Sequence, residues 1–197
     1  MSAESLAGQE AALTKQLWEA KSDKKAAEKI QKQLFAVRSE LAAAFGSLPP
    51  TEPDVAAAKK IAEKAHAGQV DKVGAPYIGH VERVAGFTSG SPEEVAAGFL
   101  HDTLEDGPFN EAEPEVTMSV IAEKVAPQVA VAVFLLTKVP GKPLSEYYAA
   151  IKESPLATAV KLADLADNTD PDRLAVLPQE TQDRLTAKYA EAFAALD

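Results

Sequence analysis

From Pro127 to Leu136 the chain offers almost no polar face: Val129, Val131, Ala132, Val133, Phe134, Leu135 and Leu136 are apolar nearly all round a helix. Proline suits the first helical position, and a helix of this kind has to be enclosed by other elements. The rest of the sequence supplies those elements as helices. Strict apolar–polar alternation and bounded β-branched runs are both missing, so no sheet is expected. The predicted class is all-α: a helical domain over residues 51–197, preceded by a helical extension over residues 1–50.

A chain of 197 residues can bury a substantial core, and with only 6% aromatic residues and abundant alanine its helices should pack through small and aliphatic side chains. The absence of cysteine rules out disulfides and thiolate ligands and leaves His, Asp and Glu as the strong metal ligands. A formal net charge of −10 with no basic stripe argues against a nucleic-acid partner. An anionic small molecule would need a metal and local Lys or Arg to enter that field. No stretch approaches the ~20 apolar residues of a bilayer span. The N-terminus lacks the basic and apolar regions of a signal peptide. No membrane association is expected, and the expected compartment is the cytoplasm.

Residues 4 to 47 read as alanine-rich helix. Ile30, Leu34, Val37, Leu41 and Ala44 form a heptad seam, and Leu13, Leu17 and Ala20 form another out of phase with it. Ser22-Asp23 lies at the mismatch and could cap a second helix. The pair either packs on the domain as a hairpin or serves as a dimerisation element. Beyond Gly46-Ser-Leu-Pro-Pro50, Thr51 is expected to begin a helix that buries Val55, Ala58, Ile61, Ala62 and Ala65. A turn-rich loop, Gln69 to Pro76, leads into a short helix over 77–85. Thr117 should cap a helix through Val125, and further helices are expected over 144–152, from Pro155 to Asn168, and over 178–196. Asp170-Pro171-Asp172 reads as a break, and Gly107 to Val116 as a long loop of the kind that covers or rims a site.

The densest chemistry lies in Gly98-Phe-Leu-His101-Asp102-Thr-Leu-Glu105-Asp106. Ser91 reads as the cap, Pro92 as the first position and Glu94 as a capping-box acid of a helix that buries Val95, Ala96, Phe99, Leu100 and Leu104. Continued to residue 106, that helix places His101 with Glu105 and Asp102 with Asp106 on shared sides. All three histidines, His66, His80 and His101, fall within 36 residues of one another, and Asp164 interrupts an apolar helix face. A lone helical histidine is usually structural, and a buried aspartate usually pairs with Lys or Arg. Clustered, two imidazoles and two carboxylates form a mixed N/O set suited to Mn²⁺, Fe²⁺, Zn²⁺ or Mg²⁺.

Gly-x-Pro-Tyr-Ile-x-His80, Leu-His101-Asp102-x-x-Glu105-Asp106 and Val-Lys161-Leu-Ala-Asp164, in that order, resemble the HD-domain phosphohydrolases. More narrowly, they are similar to the stand-alone hydrolases of the RelA/SpoT family, which remove the 3′-pyrophosphate from guanosine tetra- and pentaphosphate. The resemblance runs from about residue 54 to 190 and leaves the N-terminal helices outside. It implies an HD-type helical bundle in which His80, His101, Asp102 and Asp164 ligate one metal, typically Mn²⁺, while Glu105 and Asp106 activate the attacking water. Tyr77 belongs to the matching turn motif, Lys72 and Lys161 are candidate phosphate contacts, and Asn168 could face the substrate. Lys138 and Arg173 are further cationic candidates. Where the family usually carries Arg-Lys before the turn, this chain has Asp71-Lys72; where the family reads Asp-Arg-x-His-Asn, it has Asp164-Leu165-Ala166-Asp167-Asn168. The expected partner is a small nucleotide substrate, with a homodimer through the N-terminal helices as a further possibility.

Overall fold

A computed structural model describes residues 2–106 and 116–197, with Asp106 described in its backbone only. The described residues hold helices and no strand, with one isolated bridge between Val70 and Pro76. Two helices form the extension, α1 (Ala3–Glu19) and α2 (Lys24–Gly46), and the break between them falls where the two seams go out of phase. Asp23 caps α2 by accepting from the Lys25 and Ala26 amides at 3.1 Å. Leu17 and Leu34 pack against each other across this hairpin, while Leu6, Val37 and Leu41 reach into the main core. Leu17, Leu34, Val37 and Leu41 of the seams are therefore covered from within the chain, and Leu13, Ala20, Ile30 and Ala44 partly so.

The remaining helices are α3 (Val55–Ala65), α4 (Ile78–Phe87), α5 (Pro92–Leu100), α6 (Thr103–Asp106), α7 (Met118–Lys124), α8 (Pro127–Leu136), α9 (Leu144–Lys152), α10 (Pro155–Asn168), α11 (Pro171–Ala175) and α12 (Gln179–Leu196). The apolar helix α8 lies at the centre, with Val129, Ala130 and Val133 fully buried against Met118, Ile121, Leu100 and Val160. Ser91 caps α5 and Thr117 caps α7 as the sequence indicates, and Ser154 caps α10. Among the described residues no helix is long and apolar enough to cross a membrane.

Several boundaries differ from expectation. The third helix starts three residues after Pro50-Thr51-Glu52, because Asp54 rather than Thr51 accepts from an amide of its first turn, that of Ala57, at 2.8 Å. Asp170-Pro171-Asp172 does not simply break the chain. Asp170 caps the short helix α11 through the Asp172 and Arg173 amides. Val95 and Phe99 are only partly covered, and Ala96, Ala97, Gly98 and Leu100 form the buried face of α5 instead. The largest difference concerns the stretch after Leu100. His101 Nδ1 takes the Gly98 carbonyl at 2.8 Å and Thr103 Oγ1 takes the Leu100 carbonyl at 2.7 Å. Side chains thus occupy acceptors that a continuing helix would use. The chain turns at His101-Asp102 and restarts as α6, so His101/Glu105 and Asp102/Asp106 do not share one continuous helix. The expected loop from Gly107 lies outside the described residues as far as residue 115.

Candidate metal centre

Three helices meet where α5 ends. A Cβ on Gly98 would stand 2.8 Å from the Ala85 Cα, so the absence of a side chain there lets α4 and α5 cross at backbone contact. That crossing sets His80, on α4, beside His101, whose ring lies 5.2 Å from it. The turn after α5 supplies Asp102, and α10 supplies Asp164. One atom each from His80, His101 and Asp102 lies within 4.8 Å of the others. Asp102 Oδ2 is 3.1 Å from His101 Nε2 and 3.7 Å from His80 Nε2. Asp164 Oδ1 is 3.4 Å from His80 Nε2 and 3.8 Å from His101 Nε2. Ligands at ~2.1 Å from one ion sit roughly 3.0–3.4 Å apart. His80, His101 and Asp102 approach that spacing, whereas Asp164 faces the two imidazoles and is not part of the group whose ligand atoms all lie within 4.8 Å of one another. The buried His101 Nε2 makes no aligned hydrogen bond among the described residues, although Asp102 Oδ2 stands 3.1 Å away, and it borders the same space, as a ligand nitrogen would.

Each imidazole presents Nε2 because its Nδ1 is engaged elsewhere. His101 Nδ1 donates to the Gly98 carbonyl, and His80 Nδ1 donates to Asp167 Oδ2 at 2.6 Å. Asp167 is wholly buried and is met by two arginines, Arg83 through Nε at 2.5 Å and Arg173 through Nη1. Supports of this type fix a metal-binding histidine's tautomer and ring orientation. The carboxylates are held as well. Asp102 Oδ2 accepts from Tyr77 Oη at 2.5 Å, and Asp164 accepts from Lys161 Nζ and Asn168 Nδ2, both at 2.5 Å. Tyr189 Oη in turn donates to Asn168 Oδ1 at 3.2 Å.

The charges reinforce one another. Burial alone would raise both aspartates, but for Asp102 the His101 and His80 rings outweigh it, and for Asp164 the Lys161 ammonium does. Both carboxyls are thereby held below the usual carboxylate range. Burial likewise opposes charge on His101, yet Asp102 and Asp164 raise its pKa above the ordinary imidazole value. His66 goes the other way: burial lowers it, and its Nδ1 rests on Gln69 Oε1 at 2.7 Å. His66 borders the centre without joining the ligand atoms.

Two connected hollows open from the centre. One, of about 330 Å³, is bounded by Asp102, Asp164, Glu105 and four lysines, Lys72, Lys138, Lys161 and Lys188. Burial, followed by the neighbouring Lys138, Lys72 and Lys161, lowers the Lys188 pKa, as expected where several ammonium groups share a confined space. The other, of about 180 Å³, is lined by Val70, Leu174, Leu177, Leu185 and Tyr189, with Asp71, Lys72 and Arg173 at its edge. Tyr77 and Asn168 border both. The first hollow suits phosphate oxygens and the second a flat organic group.

Of the four residues expected to ligate a metal, His80, His101 and Asp102 form one close group and Asp164 Oδ1 borders its two imidazoles; Glu105 lies on the wall of the adjoining hollow with its Oε2 accepting from the Lys138 amide at 2.9 Å. The side chain of Asp106, the other expected water-activating residue, lies outside the described residues. Lys72, Tyr77, Lys161 and Asn168 all border the hollow, although Lys161 and Asn168 spend their hydrogen bonds on Asp164. Asp71, where the family pattern has arginine, accepts from the Val73 and Ala75 amides and from Arg173 Nη2. It therefore shapes the loop that Gly74 closes at a φ of +83°. Leu165, at the other departure, is a buried core residue. Sequence reasoning missed Asp167 as the support of His80. Its place three residues after Asp164, nearly one turn along the same face, was the available signal. No family model matches the chain.

Proposed function

We propose that this protein is a metal-dependent phosphohydrolase of the HD type acting on a nucleotide pyrophosphate, with guanosine tetraphosphate and its 3′-pyrophosphate as first candidate. The observation that carries this reading is the convergence of His80 Nε2, His101 Nε2, Asp102 Oδ2 and Asp164 Oδ1 on one space beside a hollow walled by lysines. A divalent cation held by those four residues, Mn²⁺ first among them, supplies Lewis acidity and a lowered pKa for water. Tyr77, Lys161 and Asn168 keep the two aspartate carboxylates oriented. Lys72, Lys138 and Lys188 neutralise the phosphate oxygens on which charge accumulates. Glu105 accepts the proton of the attacking water, its carboxylate steadied by the Lys138 amide. The apolar hollow receives the base or sugar. A cytoplasmic setting belongs to the same proposal. So does a homodimer, which would use faces of α1 and α2 other than the internally covered seam.

A second substrate, another nucleotide or phosphoester, is favoured by one observation: Asp71 is committed to loop amides and Arg173, so position 71 brings no cation to the apolar hollow. The test is purified full-length protein with Mn²⁺ against a panel of guanine and adenine nucleotides. Pyrophosphate release from guanosine tetraphosphate is expected, with a loss of about 10²-fold or more in Glu105→Ala. Turnover confined to other phosphoesters selects the second substrate. Mn²⁺ binding with no turnover at all reduces the protein to a metal-holding scaffold.

A further inference from the structure

Outside the metal centre the described residues bury a further ionic cluster, and the chemistry above does not use it. Glu10 of α1 is fully buried, and Arg38 of α2 is 4% exposed. Glu10 Oε1 accepts from Arg38 Nε at 2.9 Å and from the Met118 amide at 2.7 Å; Oε2 accepts from the Ser119 amide and hydroxyl at 3.1 and 2.9 Å. Arg38 Nη1 donates to the Leu104 carbonyl at 3.3 Å, while Nη2 finds no partner among the described residues. Well-packed apolar residues of similar volume commonly hold two elements together as well as a buried ion pair, or better. Adhesion of the hairpin alone thus does not call for charge here. The Glu10 carboxylate serves the first amides of α7, and the Arg38 guanidinium reaches the carbonyl of Leu104, which immediately precedes Glu105.

The hairpin also bears on the other support of that carboxylate. Glu105 Oε2 rests on the Lys138 amide, two residues beyond α8, and α2 packs against this end of α8 through Phe35 and Phe134, whose rings lie 5.4 Å apart. Lys142 lays its ammonium over the Phe35 ring at 4.8 Å. Leu17, Leu34 and Phe35 of the hairpin face Glu105 and Lys138 across a narrow cleft. The carbonyl before Glu105 and the amide that holds it therefore both lean on the extension.

We propose that Arg38, fixed by Glu10, is a positioning residue for Glu105, so that the N-terminal hairpin completes the reactive centre. This rests on the phosphohydrolase reading. A displacement of about 1 Å at a proton acceptor costs on the order of 10²-fold in rate without weakening metal ligation. Hairpin position thereby sets turnover while His80, His101, Asp102 and Asp164 stay as they are.

The test uses the full chain carrying Glu10→Gln with Arg38→Met, which leaves no lone buried charge and keeps an acceptor for the Met118 amide. The measurements are kcat, KM, the Mn²⁺ dissociation constant by electron paramagnetic resonance, and the water-proton relaxation enhancement of the Mn²⁺ complex. Each is repeated in a Glu105→Gln background. A fall in kcat of about tenfold or more is expected, with KM and Mn²⁺ affinity within about twofold, and no further fall once Glu105 is Gln. The relaxation enhancement shifts in the same direction as in Glu105→Gln, and it carries the comparison even in a chain that turns nothing over. Equal losses in kcat and Mn²⁺ affinity, or an undiminished fall in the Glu105→Gln background, would overturn the proposal and leave the pair a structural tie. If the double variant loses its helical circular dichroism, Arg38→Lys, which keeps a cation against Glu10 and gives up the donor to Leu104, takes its place with the same expectations. A native chain that binds no Mn²⁺ instead removes the phosphohydrolase reading and this inference with it.

Discussion

The two imidazoles of the candidate metal centre are supported in different ways. His101 leans on a backbone carbonyl three residues back, at Gly98 in the last turn of α5, where backbone geometry alone sets the acceptor. His80 leans on a side chain 87 residues away, and that side chain needs two arginines, Arg83 of α4 and Arg173 of α11, to remain a buried carboxylate. The first support is local and uncharged. The second is distant and ionic, and it ties the centre to the rim of the apolar hollow, because Arg173 also holds Asp71 at 3.2 Å. The pairing shows that one ligand can be secured by chain geometry and its neighbour by a charge network that single substitutions can weaken in steps.

The His101 side should fail abruptly. A Gly98→Val side chain has to push against the Ala85 backbone, costing about 1–3 kcal/mol or more. By spreading α4 from α5 it parts the two rings, so calorimetry should register a lower Tm and no measurable Mn²⁺ binding. A variant that still binds Mn²⁺ with native affinity would mean that the crossing does not set the ligand spacing.

The His80 side should fail gradually. Asp167→Asn keeps an acceptor for Nδ1 but gives up the charge that faces Arg83 and Arg173, and Mn²⁺ affinity measured by titration should fall about 10–100-fold. An unchanged dissociation constant would make the two supports equivalent. The smallest effect belongs to Arg83→Met. The Arg83 side chain is 42% exposed and Arg173 remains, so Mn²⁺ affinity should weaken by about threefold or less. A loss as large as that of Asp167→Asn would show that Arg83 alone holds the carboxylate.

The same contrast separates what the sequence made legible from what it did not. The helical class, the caps at Asp23, Ser91 and Thr117 and the buried run after Pro127 follow from local rules of spacing and capping. A mixed set of imidazoles and carboxylates was legible from residue types, and the particular set His80, His101, Asp102 and Asp164 came from the motif resemblance. The turn at His101-Asp102 was not, because it depends on side chains capturing the Gly98 and Leu100 carbonyls, a competition that periodicity does not weigh. Asp167 looked like a departure from a motif. Its role becomes visible only when α4 and α11 bring arginines to α10. Glu10 carries a signal of its own: with Leu6, Leu13 and Leu17 it repeats at spacings of four, three and four, so a charge sits in an apolar seam. A carboxylate in such a position calls for a buried partner.

The Glu10 carboxylate joins residues 108 and 109 positions apart when it accepts from the Met118 and Ser119 amides. During synthesis the first helix leaves the ribosome long before the segment it will cap, and its acidic group has to stay hydrated until that segment emerges. Contacts of such wide sequence separation close late and slowly. Contacts of this separation make α1 depend on α7 for the burial of its charge.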